Sequence, residues 1–237
     1  MSQTLEREPE WGYRDLFFFA GIALPCMLLA FMSVQGLFAL MGWPSSRKAL
    51  VLVPGELIGY SLAFAGLRLY FSGHIEQSLG SALRWTAEGV PVLATALNGV
   101  SLAVAVVAMG ALLQTPDTDM PIKELLGDPL SFAVVAVAGV TLGPFFEELI
   151  FRGLLQPVLV RSLGAAGGIV AVSAIFGVLH LPQYGMSWRH GVLITLAGVA
   201  FGWCRHRRGS TLASTLMHCA YNLTLFALFA AAGKGIR

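Results

Sequence analysis

The chain has 237 residues, 56% hydrophobic and 12% charged, with a formal net charge of +2 and a mean hydropathy of +0.73. Soluble domains run at roughly 45–50% apolar and about 25% charged, so this composition excludes an ordinary soluble domain. Lys and Arg stand singly between apolar blocks, without the basic stripe and interleaved aromatics that bind a phosphate backbone, and nucleic acid is excluded as a partner.

The opening stretch MSQTLEREPEWGYRD is acidic and polar, unlike the basic start of a cleaved signal peptide. The first apolar segment, about 15–42, is therefore expected to remain as a membrane helix. Further apolar segments follow at about 49–72, 89–114, 129–163, 166–182, 189–206 and 210–232, most of them exceeding the roughly 20 residues a span requires. The expected fold is all-α, a polytopic transmembrane helix bundle with about seven membrane segments, forming one integral membrane domain over residues 1–237. Two segments are awkward. The fifth is short for a full crossing, and the fourth is long and carries Gly143-Pro144 near its middle, where proline either kinks a helix or begins a new one. Polar stretches at about 72–89 and 115–128 are the sizeable loops. A slight Lys and Arg excess led by Arg205, Arg207 and Arg208 favours a cytoplasmic N-terminus. Cys26, Cys204 and Cys219 each lie in an apolar block without metal-ligand spacing and read as small buried residues.

An ionisable group near the bilayer centre costs at least about 2.5–3.5 kcal/mol on insertion scales, so each one is a candidate for function. The densest set is Gly143-Pro144-Phe145-Phe146-Glu147-Glu148-Leu149-Ile150-Phe151-Arg152-Gly153. Glu148 and Arg152 are spaced i,i+4, so a mutual ion pair offsets the burial of both. Glu147 lies about 100° around the helix from Glu148 and is left free for chemistry. At the end of the fifth segment Phe176 and His180 lie one turn apart, so the ring can pack beside the imidazole. In the seventh, His218 and Asn222 are again i,i+4 and offer a donor and acceptor to the bundle interior. Each has a bland reading: a salt bridge, an interfacial histidine, and hydrogen-bond glue between helices. Glu56, Arg68, Gln35 and Asn98 are isolated, and read as packing or snorkelling residues.

At these positions the sequence resembles the CAAX-processing and bacteriocin-immunity type membrane proteases, intramembrane glutamic endopeptidases related to the Ras-converting enzyme. The motifs EExxxR, FxxxH and HxxxN appear in order as Glu147-Glu148-x-x-x-Arg152, Phe176-x-x-x-His180 and His218-x-x-x-Asn222. The resemblance covers about residues 129–225, within a protease-like core of about 129–232. It implies that Glu147 activates a water while His180, His218 and Asn222 position it and stabilise the oxyanion, with Glu148, Arg152 and Phe176 in support. It further implies a membrane-associated protein or peptide as substrate, no cofactor, and residence in a bacterial inner (plasma) membrane.

Amide hydrolysis needs a nucleophile, a base and charge stabilisation for the tetrahedral oxyanion, and this residue set supplies them without serine or cysteine. No HExxH, GxGD or GxSG motif is present in the sequence. Glu147, His180 and His218 are also of the types that form a His₂Glu zinc site; the metal-free reading is favoured on family grounds. Two other functions compete: a proton- or ion-coupled transporter, since intramembrane Glu and His also carry protons, and a non-catalytic scaffold or immunity protein of the same family. The short chain without a duplicated half argues against the first, and the intact motifs argue against the second. The sequence does not set the oligomeric state.

Overall fold

The computed structural model describes residues 10–44, 47–116 and 121–232. The polar N-terminal stretch up to residue 9 and the middle of the second polar loop, residues 117–120, lie outside the described residues. All regular structure among the described residues is helical. The long elements are α1 (Tyr13–Leu40), α2 (Lys48–Ser72), α3 (Val92–Leu112), α4 (Pro129–Val140), α5 (Leu142–Glu148), a π-helical stretch Leu149–Leu155, α6 (Gln156–His180), α7 (Trp188–Arg208) and α8 (Thr211–Ala231).

Among the described residues five helical stretches are long and apolar enough to cross a membrane: residues 13–40, 48–72, 92–112, 129–184 and 211–231. The fourth contains two traverses. Gly164 breaks the helical path of α6 with φ 72° and ψ 169°, a conformation open to glycine. A Cβ built on Gly202 of α7 would meet both the Gln156 amide oxygen at 2.8 Å and the Ile169 side chain at 3.0 Å. In an unbroken helix those two residues stand about 20 Å apart, so the chain must double back between them. The α7 helix, basic in its last turn, packs beside α6. Large apolar side chains such as Leu24, Leu69, Leu93 and Leu112 are 74%, 75%, 74% and 84% exposed, a surface suited to hydrocarbon rather than water.

The long fourth segment is resolved by local signals. Asp128 caps α4 by accepting from the Leu130 and Ser131 amides at 3.1 and 3.2 Å, with Pro129 in the first turn. The Ser131 hydroxyl, with its backbone amide, holds the Asp128 carboxyl below its usual range. The helix then breaks at Thr141, with φ −119° and ψ −79°, and Pro144 falls in the first turn of α5, where its missing N–H has no intrahelical partner to lose. The break nearly two turns before the Glu-Glu pair sets the direction in which Glu147 points.

Close helix approaches are made by glycine, as in other membrane bundles where small residues replace hydrophobic driving force with contact. Gly55 and Gly59 of α2 lie against Phe31 and Met27 of α1; a Cβ on Gly59 would come within 2.9 Å of the Met27 backbone. Gly99 of α3 packs directly on the Met217 carbonyl of α8. The start of α8 is tied down by a loop: Thr211 donates its hydroxyl to Leu83 O at 2.6 Å and its amide to Arg84 O at 2.9 Å, while Ser210 donates to Thr86 O at 2.6 Å and caps the helix through Ala213 N at 3.1 Å. Gly209, at φ 61°, makes the reversal from α7 possible.

Candidate active site

Four elements bring the candidate residues together. Glu147 and Glu148 end α5, Arg152 lies in the π-helical stretch that follows, His180 closes α6, and His218 sits in the second turn of α8. A π-helical turn is uncommon and recurs at functional sites; here it begins immediately after Glu148.

The i,i+4 relation between Glu148 and Arg152 is realised at 3.0 Å with both side chains fully buried. The alignment is that of an ion pair rather than a directed hydrogen bond, since Arg152 Nη1 meets no acceptor in hydrogen-bond geometry. Arg152 Nη2 donates to Gly198 O of α7 at 2.9 Å, and the guanidinium lies 4.7 Å from the Phe176 ring centroid and 5.5 Å from that of Phe201, favourable cation–π distances. Glu148 Oε1 also lies 3.0 Å from His218 Nδ1. Arg152, Glu148 and His218 therefore form one buried chain linking the π-helical stretch to α7 and α8.

Glu147 is not part of that chain. Its carboxylate is 20% exposed, with His180 Nε2 3.7 Å from one oxygen and His218 Nε2 3.8 Å from the other. Both imidazoles are oriented by their second nitrogen. His180 Nδ1 lies 2.7 Å from the Phe176 carbonyl and His218 Nδ1 lies 3.0 Å from the Glu148 carboxylate; an acceptor at that position assigns the proton to Nδ1. Each Nε2 is thereby turned towards Glu147. Phe176 packs against His180 with centroids 4.3 Å apart, and Phe201 stacks on His218 at 4.4 Å and 19°. Sequence periodicity singled out Phe176; Phe201 carries no spacing signal that marks it.

Asn222 is placed differently. Its amide donates to Gly139 O at 2.6 Å, in the last turn of α4 just before the break at Thr141. It thus bonds to the backbone that precedes α5, one turn of α8 beyond His218.

The sequence reading treated Glu56 as an isolated packing or snorkelling residue, and the structure gives it neighbours. Glu56 of α2 is exposed and within electrostatic reach of Glu147, of His180 and of Tyr60 one turn on. Tyr60 stacks on Phe146, the residue before Glu147, with centroids 5.2 Å apart. Tyr184, just past His180, is also within the field of Glu147. The signal available in the sequence was the intramembrane Glu with an aromatic hydroxyl four residues on.

Two concavities flank these residues without containing Glu147. One of about 310 Å³ is lined by Gly177, Val178 and Leu181 with Trp188 and Thr195; another of about 520 Å³ lies between Arg68, Gln77 and Trp85 and the α5 face of Phe145. Among the described residues no cluster of three His, Cys, Asp or Glu side chains has the arrangement of a metal site.

No curated protein and no solved structure matches the chain. Residues 129–224 match the family model described as Rce1-like, type II CAAX prenyl endopeptidase. That stretch holds Glu147, Glu148, Arg152, Phe176, His180, His218 and Asn222, and over it the chain is similar to the Rce1-like family of membrane proteases.

Proposed function

We propose that this integral membrane protein is a glutamic endopeptidase that hydrolyses a peptide bond of a membrane-associated protein or peptide through a water activated by Glu147. The observation carrying the reading is the placing of one accessible carboxylate between two Nε2 atoms at 3.7 and 3.8 Å, beside a second carboxylate already neutralised by Arg152. Those distances exceed a hydrogen bond and suit a shared water. A water against Glu147 gives up its proton to that carboxylate as its oxygen attacks the carbonyl carbon. The Nε2 groups of His180 and His218, when protonated, are donors for the oxyanion. Glu148 and Arg152 hold His218 and the π-helical turn in place.

Asn222 acts in this scheme by holding the α4–α5 junction to α8, which fixes the angle of Glu147, and by the oxyanion role that the family resemblance implies. The family match supports a CAAX-type substrate, and the compartment proposed for the reaction is a bacterial inner membrane. The metal-free mechanism follows from the role given to Glu147 as base. Comparison of membrane-proteome N- and C-termini between cells carrying the intact protein and Glu147→Ala identifies the substrate: new termini should vanish in the variant. Identical termini in both would remove the protease assignment.

A further inference from the structure

We propose that the cavity of about 520 Å³ behind α5 holds one phospholipid with an amine in its headgroup, its phosphate on Arg68, its ammonium on Glu10 and an acyl chain against Phe145 and Leu149. The site is separate from the Glu147 centre. Phe145 and Leu149 are spaced i,i+4 and both border the cavity, while Glu147 lies about 200° around the helix from Phe145, so the cavity meets the reverse face of the element that carries the base. Arg68 is exposed and stands one turn before the end of α2 at Ser72, which is about 6 Å along the axis. A cation at that depth of a membrane-spanning helix reaches the level of the lipid phosphates. Among the described residues no hydrogen bond or ion pair engages its guanidinium, whose planar fork matches two phosphate oxygens. Behind Arg68 the cavity runs back to Phe71 and Leu83, which are 2% and 1% exposed. A cationic rim over an apolar depth fits an amphiphile, because a free phosphate would leave the apolar part unfilled.

The rim carries both signs of charge. Gln77, which also borders the cavity, donates its side-chain amide to Glu10. The next residue, Trp11, packs on Phe71 of the cavity wall with ring centroids 5.8 Å apart, so Glu10 is held at the mouth from two sides. A headgroup with negative charge alone would meet that carboxylate, whereas one with a phosphate and a primary ammonium sets each charge against its opposite. A choline headgroup carries no N–H to donate to Glu10. Occupancy reaches the reacting centre through packing. Trp85 meets Phe145 edge-on at 5.0 Å, and a Cβ on Gly153 would lie 3.2 Å from Leu83, so the cavity walls touch the chain on both sides of the Glu147-Glu148 pair. An acyl chain in this space supplies the contacts that an empty one withholds from α5 and the π-helical stretch. That support bears on catalysis only through the reading of Glu147 as the base, whereas binding of the lipid does not depend on it.

The test reconstitutes the full chain in vesicles of equal parts phosphatidylethanolamine, phosphatidylglycerol and phosphatidylcholine, extracts it in mild detergent and weighs it by native mass spectrometry. A single retained phosphatidylethanolamine per chain is expected. Arg68→Gln removes the cation from an exposed position, and Gly80→Phe fills the cavity from a helical residue whose added Cβ meets nothing within 4 Å. Each should lower retention about tenfold, the loss of one charge-assisted contact or of the space for the chain. Phosphatidylglycerol or phosphatidylcholine retained as well as phosphatidylethanolamine, no lipid retained, or retention unchanged in either variant overturns the site. With a cleavable substrate, kcat in vesicles containing phosphatidylethanolamine should exceed kcat in phosphatidylcholine alone by about threefold or more in the intact protein and not in Arg68→Gln; the same ratio in both overturns the support to α5. Should no substrate be cleaved in any lipid, the hydrolase reading fails while the retained lipid still decides the site.

Discussion

The Asn222 amide reaches the Gly139 carbonyl at 2.6 Å, so the residue one turn beyond His218 is bonded to the end of the helix that precedes Glu147. The residue thus combines a structural bond with the chemical role proposed for it. Asn222→Ala should cost about 0.5–1.5 kcal/mol of stability and lower kcat by about 10²-fold or more. Thermal unfolding of the detergent-purified protein, measured beside kcat, checks both. Unchanged stability would show that the Gly139 bond does not hold the junction.

Arg152→Ala strands the Glu148 carboxylate in a fully buried position, a change worth about 3–5 kcal/mol. Folded yield in detergent should drop together with activity. Arg152→Lys should not restore it, because one ammonium cannot reproduce the fork that meets both Glu148 and Gly198 O. A well-folded but inactive Arg152→Ala protein would instead put Arg152 among the reacting groups.

Gly99→Ala should disturb the site from a distance. The added Cβ collides with the backbone carbonyl of Met217, next to His218, and a backbone atom cannot swing aside. A loss of about 1–3 kcal/mol is expected, with reduced activity as His218 shifts. Gly110→Ala on the same helix meets only the flexible end of Leu193 at 3.3 Å and a Thr115 side chain at 3.4 Å, and should remain close to the parent protein in both measurements. Equal effects of the two substitutions would remove the backbone-collision argument.

Strong chelators should leave activity intact, and metal analysis of the purified protein should find no stoichiometric zinc, if Glu147 activates water directly. Activity lost on chelation and restored by zinc would make Glu147, His180 and His218 ligands and the water metal-bound.

The features legible in the sequence are those set by neighbours along the chain. The Glu148–Arg152 ion pair and the Phe176–His180 contact are i,i+4 relations, and helical geometry alone delivers them. Pro144 and the gap between residues 163 and 166 marked the places where the long fourth segment breaks and reverses, because proline and glycine act locally. The π-helical turn at Leu149–Leu155 had no such marker. The electrostatic reach of Glu56 to Glu147 and His180, about ninety and more positions away, left no mark either, because no periodicity within α2 reports it. The bond from Asn222 to Gly139 was hidden in the same way, since i,i+4 spacing placed it on the His218 face without saying what that face touches.

The most direct measurement is cleavage of a prenylated CAAX peptide, with substrates found by terminal profiling alongside it, by the intact protein and by Glu147→Gln reconstituted in vesicles in ¹⁸O-labelled water. Glu147→Gln keeps the size and polarity of the side chain and removes only its basicity. The account predicts that the intact protein releases product carrying one ¹⁸O in the new carboxyl group while Glu147→Gln, equally folded, loses at least about 10²-fold in rate. Cleavage by Glu147→Gln at the rate of the intact protein would contradict the assignment of Glu147 as the base.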